Sequence, residues 1–244
     1  MVSSLLHPVG HNAAHMCGRF ALISPPARLA RYFEAVLDDD AERESSWNVA
    51  PTDPVLGVTV RHRRPDVGSE RVLRPYRWGL VPSWATDPSA GSRLFNARAE
   101  TVTTKSSFRK AFESHRILIP ADGFYEWRKK PTGAKEPHYF TRADGAPLAF
   151  GGLSEWWKRG DAPPIYSCTI ITVPASQDMD GIHDRMPLVL DPELFDAWLD
   201  PDNHDQHELH ALLRASGPGT LTHHAVSPRV GSVRNNDPSL IDPA

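Results

Sequence analysis

Cysteine is scarce in this chain of 244 residues: there are two, Cys17 and Cys168, with no CxxC spacing. That excludes a disulfide framework and a cysteine zinc site, and it fits a reducing cytoplasm. Long hydrophobic runs are missing as well. No stretch approaches the roughly 20 apolar residues that span a bilayer, so no membrane role is expected. A dominant charge is also lacking, because the formal net charge is only −3 and gives no global nucleic-acid signature. Neither does the chain hold an HExxH run. His204, His207, Glu208 and His210 fall on one polar helical stretch and read as a solvated face, so no metal is expected. Residues 1–15 contain neither Lys nor Arg and no apolar run longer than a pair such as Leu5-Leu6, so the segment reads as too short and too polar for a signal peptide.

Proline, in contrast, is abundant. With 23 prolines the chain should be cut into many turns and short elements. The composition, 40% hydrophobic and 23% charged, is that of a globular protein, and the length suits one domain with a substantial core. Ser24-Pro25-Pro26 opens a helix whose buried face is Leu29, Tyr32, Phe33 and Val36. Strand-like runs follow over 55–61, 72–78, 116–120, 124–127, 138–142, 148–152, 167–173, 187–190 and 221–226. Helices are predicted over 107–114, over 204–213, and from Asp191-Pro192. In this last one Asp191 is the N-cap, and Leu194, Phe195, Trp198 and Leu199 are buried. The fold class is therefore α+β: a mostly antiparallel sheet that curls towards a barrel, with peripheral helices. Residues 228–244, rich in Pro, Asn and Asp, are expected to form a C-terminal tail.

Charge is unevenly placed. Residues 1–130 hold 19 Lys and Arg against 14 Asp and Glu, whereas residues 131–244 hold 8 against 16. A basic surface on an otherwise acidic protein can bind phosphates locally. Trp47, Trp78, Trp84 and Trp127 all lie in the basic half, where aromatic faces beside guanidinium groups could form a single-strand stacking platform.

Four segments carry more chemistry than packing requires. Met16-Cys17-Gly18-Arg19-Phe20 places a cysteine directly after a methionine. If translation starts at Met16 and the methionine is trimmed, Cys17 presents a thiol and a free α-amine on adjacent carbons. The plain alternative is that Cys17 is a small apolar core residue. In Asn96-Ala97-Arg98 an amide and a guanidinium share one face of an extended stretch. Glu126 stands among aromatics in Phe124-Tyr125-Glu126-Trp127, where burial could raise its pKa and suit it to acid/base work. His183, in the loop before Arg185, is the side chain best suited to proton transfer near neutral pH.

Together with Trp47-Asn48-Val49-Ala50-Pro51, Trp78-Gly79-Leu80-Val81-Pro82-Ser83-Trp84, Asn96-Ala97-Arg98-Ala99-Glu100, Pro120-Ala121-Asp122-Gly123 and His183-Asp184-Arg185-Met186-Pro187, these segments resemble the SOS response-associated peptidase family, the abasic-site processing proteins. The resemblance runs from Cys17 to at least Leu190. It implies an abasic-site crosslinking enzyme in which Cys17 captures the ring-opened aldehyde in single-stranded DNA as a thiazolidine. Asn96 would position the sugar, while Glu126 and His183 would handle protons. Arg19, Asn48, Arg98 and Arg185 would contact the strand, with Trp78 and Trp127 against its bases. A lyase side activity and self-cleavage of a leader are further implications. The expected organisation is a leader over 1–16 absent from the mature protein, a catalytic domain over 17–227 and the tail. A monomer without cofactor is expected, in the cytoplasm and at the nucleoid if the source is bacterial. Two other readings stay open: a cysteine peptidase pairing Cys17 with His183, Asn96 orienting the imidazole, and a non-catalytic single-strand binding module.

Overall fold

The computed structural model describes residues 17–62, 68–161, 163–217 and 219–244. The leader expected over 1–16 lies outside these residues. In chain order the elements are β1 (Phe20–Leu22), α1 (Pro26–Tyr32), β2 (Val36–Leu37), β3 (Ser46–Val49), β4 (Pro54–His62), β5 (Ser69–Trp78), β6 (Asn96–Arg98) and α2 (Arg109–Ser114). They continue with β7 (Arg116–Ala121), β8 (Gly123–Lys129), β9 (Lys135–Arg142), β10 (Leu148–Trp157), β11 (Ile165–Pro174), β12 (Arg185–Pro187), α3 (Phe195–Leu199), α4 (Gln206–Leu212) and β13 (Leu221–Ala225).

Two sheets result. A five-stranded sheet runs β13-β9-β8-β1-β3, and a larger one runs β12-β11-β10-β7-β4-β5-β2 with β6 added beside β11. β5 also meets β11 at Ser167↔Arg77 and Cys168↔Trp78. This gives the large sheet a ring-like outline that does not close as a barrel. The α+β class and the curled, mostly antiparallel sheet are as the pattern of short strands predicts.

The core lies between the sheets and is dominated by aromatic rings. Phe20 meets Trp78 and Phe150 edge to face at 5.1 and 5.9 Å, and Phe124 stacks on Phe140 at 5.0 Å. Such pairs add to the stabilisation from the area they bury. The chain crosses from one sheet to the other at Asp122, between β7 and β8. There the carboxylate accepts Ile23 N at 2.5 Å, Ser24 N at 2.8 Å and Ser24 Oγ at 2.5 Å, which ties β1 to the crossing. Gly123 follows because a Cβ would fall 2.3 Å from the Tyr139 ring and 2.5 Å from Phe140 O.

Three details differ from the sequence reading. The run at 187–190 is not a strand: β12 ends at Pro187, and Val189 makes only an isolated bridge to Phe150. Val36 does not continue the buried face of α1: the chain leaves the helix at Phe33, Glu34 takes φ +51°, and Val36 pairs in β2 with Val72, 48% exposed. Asp191 makes no capping hydrogen bond; its Oδ1 accepts Arg142 Nη1 at 2.7 Å instead. A tertiary ion pair has outcompeted the local cap.

Residues 228–244 pack onto the five-stranded sheet. Val230 and Leu240 are fully buried with Ala21, Tyr125, Tyr139 and Val226 in a second, smaller cluster. Asn48 Nδ2 donates to the Val230, Ser232 and Asn235 carbonyls at 3.2, 3.0 and 2.8 Å. No helix among the described residues is long and apolar enough to cross a membrane.

Candidate active site

Cys17 sits just before β1, and the antiparallel register of β1 on β8 carries it alongside Glu126. The pairs Phe20↔Phe124 and Ala21↔Gly123 continue into Tyr125 N donating to Arg19 O at 3.0 Å. The Cys17 nitrogen then donates to Glu126 Oε1 at 2.6 Å. Both residues are buried. Asn96 reaches the same place from β6, which lies parallel to β11 in the other sheet, and its Nδ2 donates to Cys17 O at 3.5 Å. The site is thus a seam between the two sheets, and neither sheet alone contains it.

Burial dominates the electrostatics of this pair. It raises the Glu126 carboxyl above its ordinary range, against the smaller lowering effects of the His183 charge and the Cys17 bonds. The Cys17 thiol is pushed well up, first by burial and then by Glu126, with Arg185 opposing. Burial thus disfavours the ionised form of both groups. His183 accepts Arg185 N at Nδ1 over 3.0 Å, and Asp184 Oδ1 lies 3.1 Å from the same nitrogen.

Arg185, on β12, is held from two sides. Its Nη2 donates to Thr172 O at 2.5 Å and Oγ1 at 3.3 Å, while Glu100 takes both Nη1 and Nη2 in a bidentate pair. Arg98 is exposed on β6.

Cys17, Asn96, Glu126, His183, Arg98 and Arg185 therefore gather at one seam. The remaining sequence-predicted contacts do not. Trp78 is fully buried in the aromatic core, its Nε1 donating to Phe95 O at 2.8 Å, so it cannot stack on a base; it is a core residue. Arg19 gives Nη1 to Asn48 Oδ1 and Val230 O, both at 2.9 Å. With Asn48 it anchors the C-terminal segment. Trp127 is half-buried against the small cluster, and Trp47 packs there too. Trp84, in contrast, is 62% exposed. Two residues escaped sequence reasoning. Glu100 stood inside a quoted motif, where an acid between arginines was the available signal. Thr172 gave none. Among the described residues, no group of three His, Cys, Asp or Glu could hold a metal ion.

The sequence profile of the family described as SOS response associated peptidase (SRAP) matches residues 16–233. The chain belongs to the SRAP family. Its relatives include Abasic site processing protein YoqW of Bacillus subtilis (strain 168), 39% identical and covering 93% of this chain and 99% of its own length. Abasic site processing protein HMCES of Gallus gallus is 35% identical over 93% of this chain and 78% of its own. A solved structure of a Bacteroides thetaiotaomicron protein superposes with TM-score 0.79, covering 93% of this chain and all of that one. At 21% identity that last likeness is one of fold. This SRAP chain thus spans nearly all of its bacterial relative, and the seam between its sheets lies within the matched region.

Proposed function

We propose that this protein captures abasic sites in single-stranded DNA covalently, through the α-amine and thiol of an N-terminal Cys17. The observation that carries the reading is the Cys17 nitrogen 2.6 Å from a buried Glu126 whose carboxyl is pushed up by that burial. The Cys17 amine attacks the ring-opened aldehyde to give a carbinolamine; the Glu126 proton leaves with the hydroxyl as water, and the nitrogen proton passes to the Glu126 carboxylate, forming the imine. The thiol then adds across the C=N bond: sulfur bonds to carbon and the thiol proton ends on nitrogen, closing a five-membered thiazolidine. Both nucleophiles belong to one residue, so closure is intramolecular and favoured by proximity. His183 is suited to opening the sugar hemiacetal, and Asn96 to positioning it. The imine also permits β-elimination of the 3′ phosphate, which makes a lyase side activity part of the proposal.

An amide nitrogen at Cys17 cannot do this chemistry, so the proposed active chain begins at Cys17, by translation from Met16 and removal of that methionine. The backbone supports this. Cys17 takes φ +44°, a left-handed conformation that costs an L-residue roughly 1–2 kcal/mol while a preceding peptide is attached. A free amine has no such torsion to strain. A thiolate peptidase is less well supported, because burial and Glu126 oppose formation of the thiolate it needs. The exposed Trp84, the half-buried Trp127 and the arginines at the seam suit a single strand. We further propose that the protein acts as a monomer in the cytoplasm, at the nucleoid if bacterial, and that the adduct shields the lesion.

The test is a single-stranded oligonucleotide carrying one abasic site, with a heat-stable adduct read on a denaturing gel. Adduct formation should vanish in Cys17→Ser. An adduct that survives that substitution overturns the mechanism, as does an intact mass retaining residues 1–16 in protein made from the native gene.

A further inference from the structure

Arg185 is placed to hold a phosphate beside Cys17, yet its fork is already filled. Glu100 takes Nη1 and Nη2 together, the bidentate geometry in which an arginine also grips a phosphate. Its carboxylate also feels Arg98, so one internal anion serves both arginines at this seam; they hold it below the ordinary carboxylate range, Arg185 most strongly. The two ends of the contact are unequally fixed. Arg185 has a second anchor, Thr172 O and Oγ1, and its side chain is 11% exposed. Glu100 lies in the turn after β6, its side chain 48% exposed. The arginine can therefore stay in place while the glutamate swings out.

Resting on the reading of the site as a DNA-capturing centre, we propose that Glu100 is a stand-in for a DNA phosphate. It neutralises Arg185 and Arg98 in the free protein and must be displaced by the strand, which weakens binding to any single strand and so guards against unproductive engagement of undamaged DNA. A phosphate that replaces Glu100 exchanges one anion for another at Arg185. Without the glutamate the phosphate neutralises a charge that was otherwise open, and more counter-ions are released. The salt dependence of binding reports this directly, with a slope near 0.7 per phosphate for single strands.

The probe is an unmodified single-stranded oligonucleotide, its affinity measured by fluorescence anisotropy across a salt series on the full chain. Glu100→Gln should tighten binding about fivefold at low salt, the scale of one exposed ion pair. It should also steepen the plot of log affinity against log salt by ~0.7. Arg185→Lys, made in the Glu100→Gln background, should remove most of that gain, since an ammonium loses the fork but keeps the charge. Unchanged or weaker binding with an unchanged slope would overturn the proposal and make Glu100 a positioning residue for Arg185. A thermal melt of each variant keeps loss of folding from mimicking either result. The wild-type adduct assay runs in parallel: no adduct would defeat the DNA-capture reading itself, whereas an adduct without the salt effect would defeat only the stand-in.

Discussion

Glu126 and Glu136 stand on neighbouring strands of one hairpin, two residue pairs apart, and their carboxyl groups are driven in opposite directions. In the β8–β9 register Glu126 faces His138, and Glu136 faces Arg128. Glu126 is buried beside Cys17 and is pushed up by that burial. Glu136 lies at the open end, gripped by Lys130 Nζ at 2.7 Å, by Arg128, and by His138 Nε2 at 3.1 Å, which pull it down to about 2. The same functional group is thus biased towards its protonated form at one position and towards its anion at the other. What decides is burial: it outweighs the opposing contacts of His183, Cys17 and Trp127 N at Glu126, whereas the less buried Glu136 is bonded by Lys130, Arg128 and His138. A stabilising cluster and a reactive centre can share one hairpin because the dielectric changes along it.

Glu126→Gln tests the reactive side and should have the largest effect, a loss of roughly 10²–10⁴ in adduct-forming rate, the range for removal of a positioned acid. A loss below tenfold, read from the time course of the gel-shifted band, would mean that the carboxyl only holds Cys17. The core offers the next contrast. Phe124→Ala, on the same strand and in the aromatic stack, should cost about 3–5 kcal/mol of stability in denaturant unfolding. The surviving folded fraction should keep the pH profile of the parent.

The pH profile itself comes third. The α-amine must be neutral to attack, so the rate rises towards its ordinary pKa of about 7.7–8.0. Glu126 must hold its proton, so the rate falls as pH passes its raised pKa. Wild-type protein should show both limbs, and Glu126→Gln should keep only the rising one. Two limbs in the variant would assign the falling limb to another group. The smallest change is expected at Glu136. Its pKa is lowered on folding, so the stability it contributes is present above the unfolded value near 4.3 and is lost as pH falls towards about 2. Glu136→Gln should flatten the drop of melting temperature across that window while leaving adduct formation near neutrality untouched. A variant whose acid limb matches wild type would remove Glu136 from the comparison.

Much of this could be read directly from the chain. Eight of the nine alternating or apolar runs became strands, because β-branched and aromatic residues at period two suit a half-buried pleat whatever their partners. The run at 187–190 did not, since β12 ends at Pro187 and Val189 makes only an isolated bridge to Phe150. The strands that escaped a definite reading are short. β2, β3 and β6 have two to four residues, too few for periodicity to register, and they exist because longer neighbours offer open edges. Cys17, Asn96, Glu126 and His183 were legible because their residue types are chemically unusual for their surroundings. Arg19, Asn48 and Trp78 carry equally reactive-looking groups, yet their hydrogen bonds go to Val230 O, Ser232 O and Phe95 O. Long-range partners of that kind leave no local mark.

Composition and pattern alone determined the α+β class, most of the strand series and the scarcity of thiols, while the resemblance to the SRAP family pointed to Cys17 as the candidate nucleophile. Only the tertiary structure decided which polar groups gather at the candidate site and which hold other segments in place. It brought Cys17 within 2.6 Å of a carboxyl 109 residues away. It also withdrew water from that carboxyl, and it set Glu100 against Arg185. Burial and charge pairing are properties of the surroundings, and surroundings are assembled only when distant strands pair.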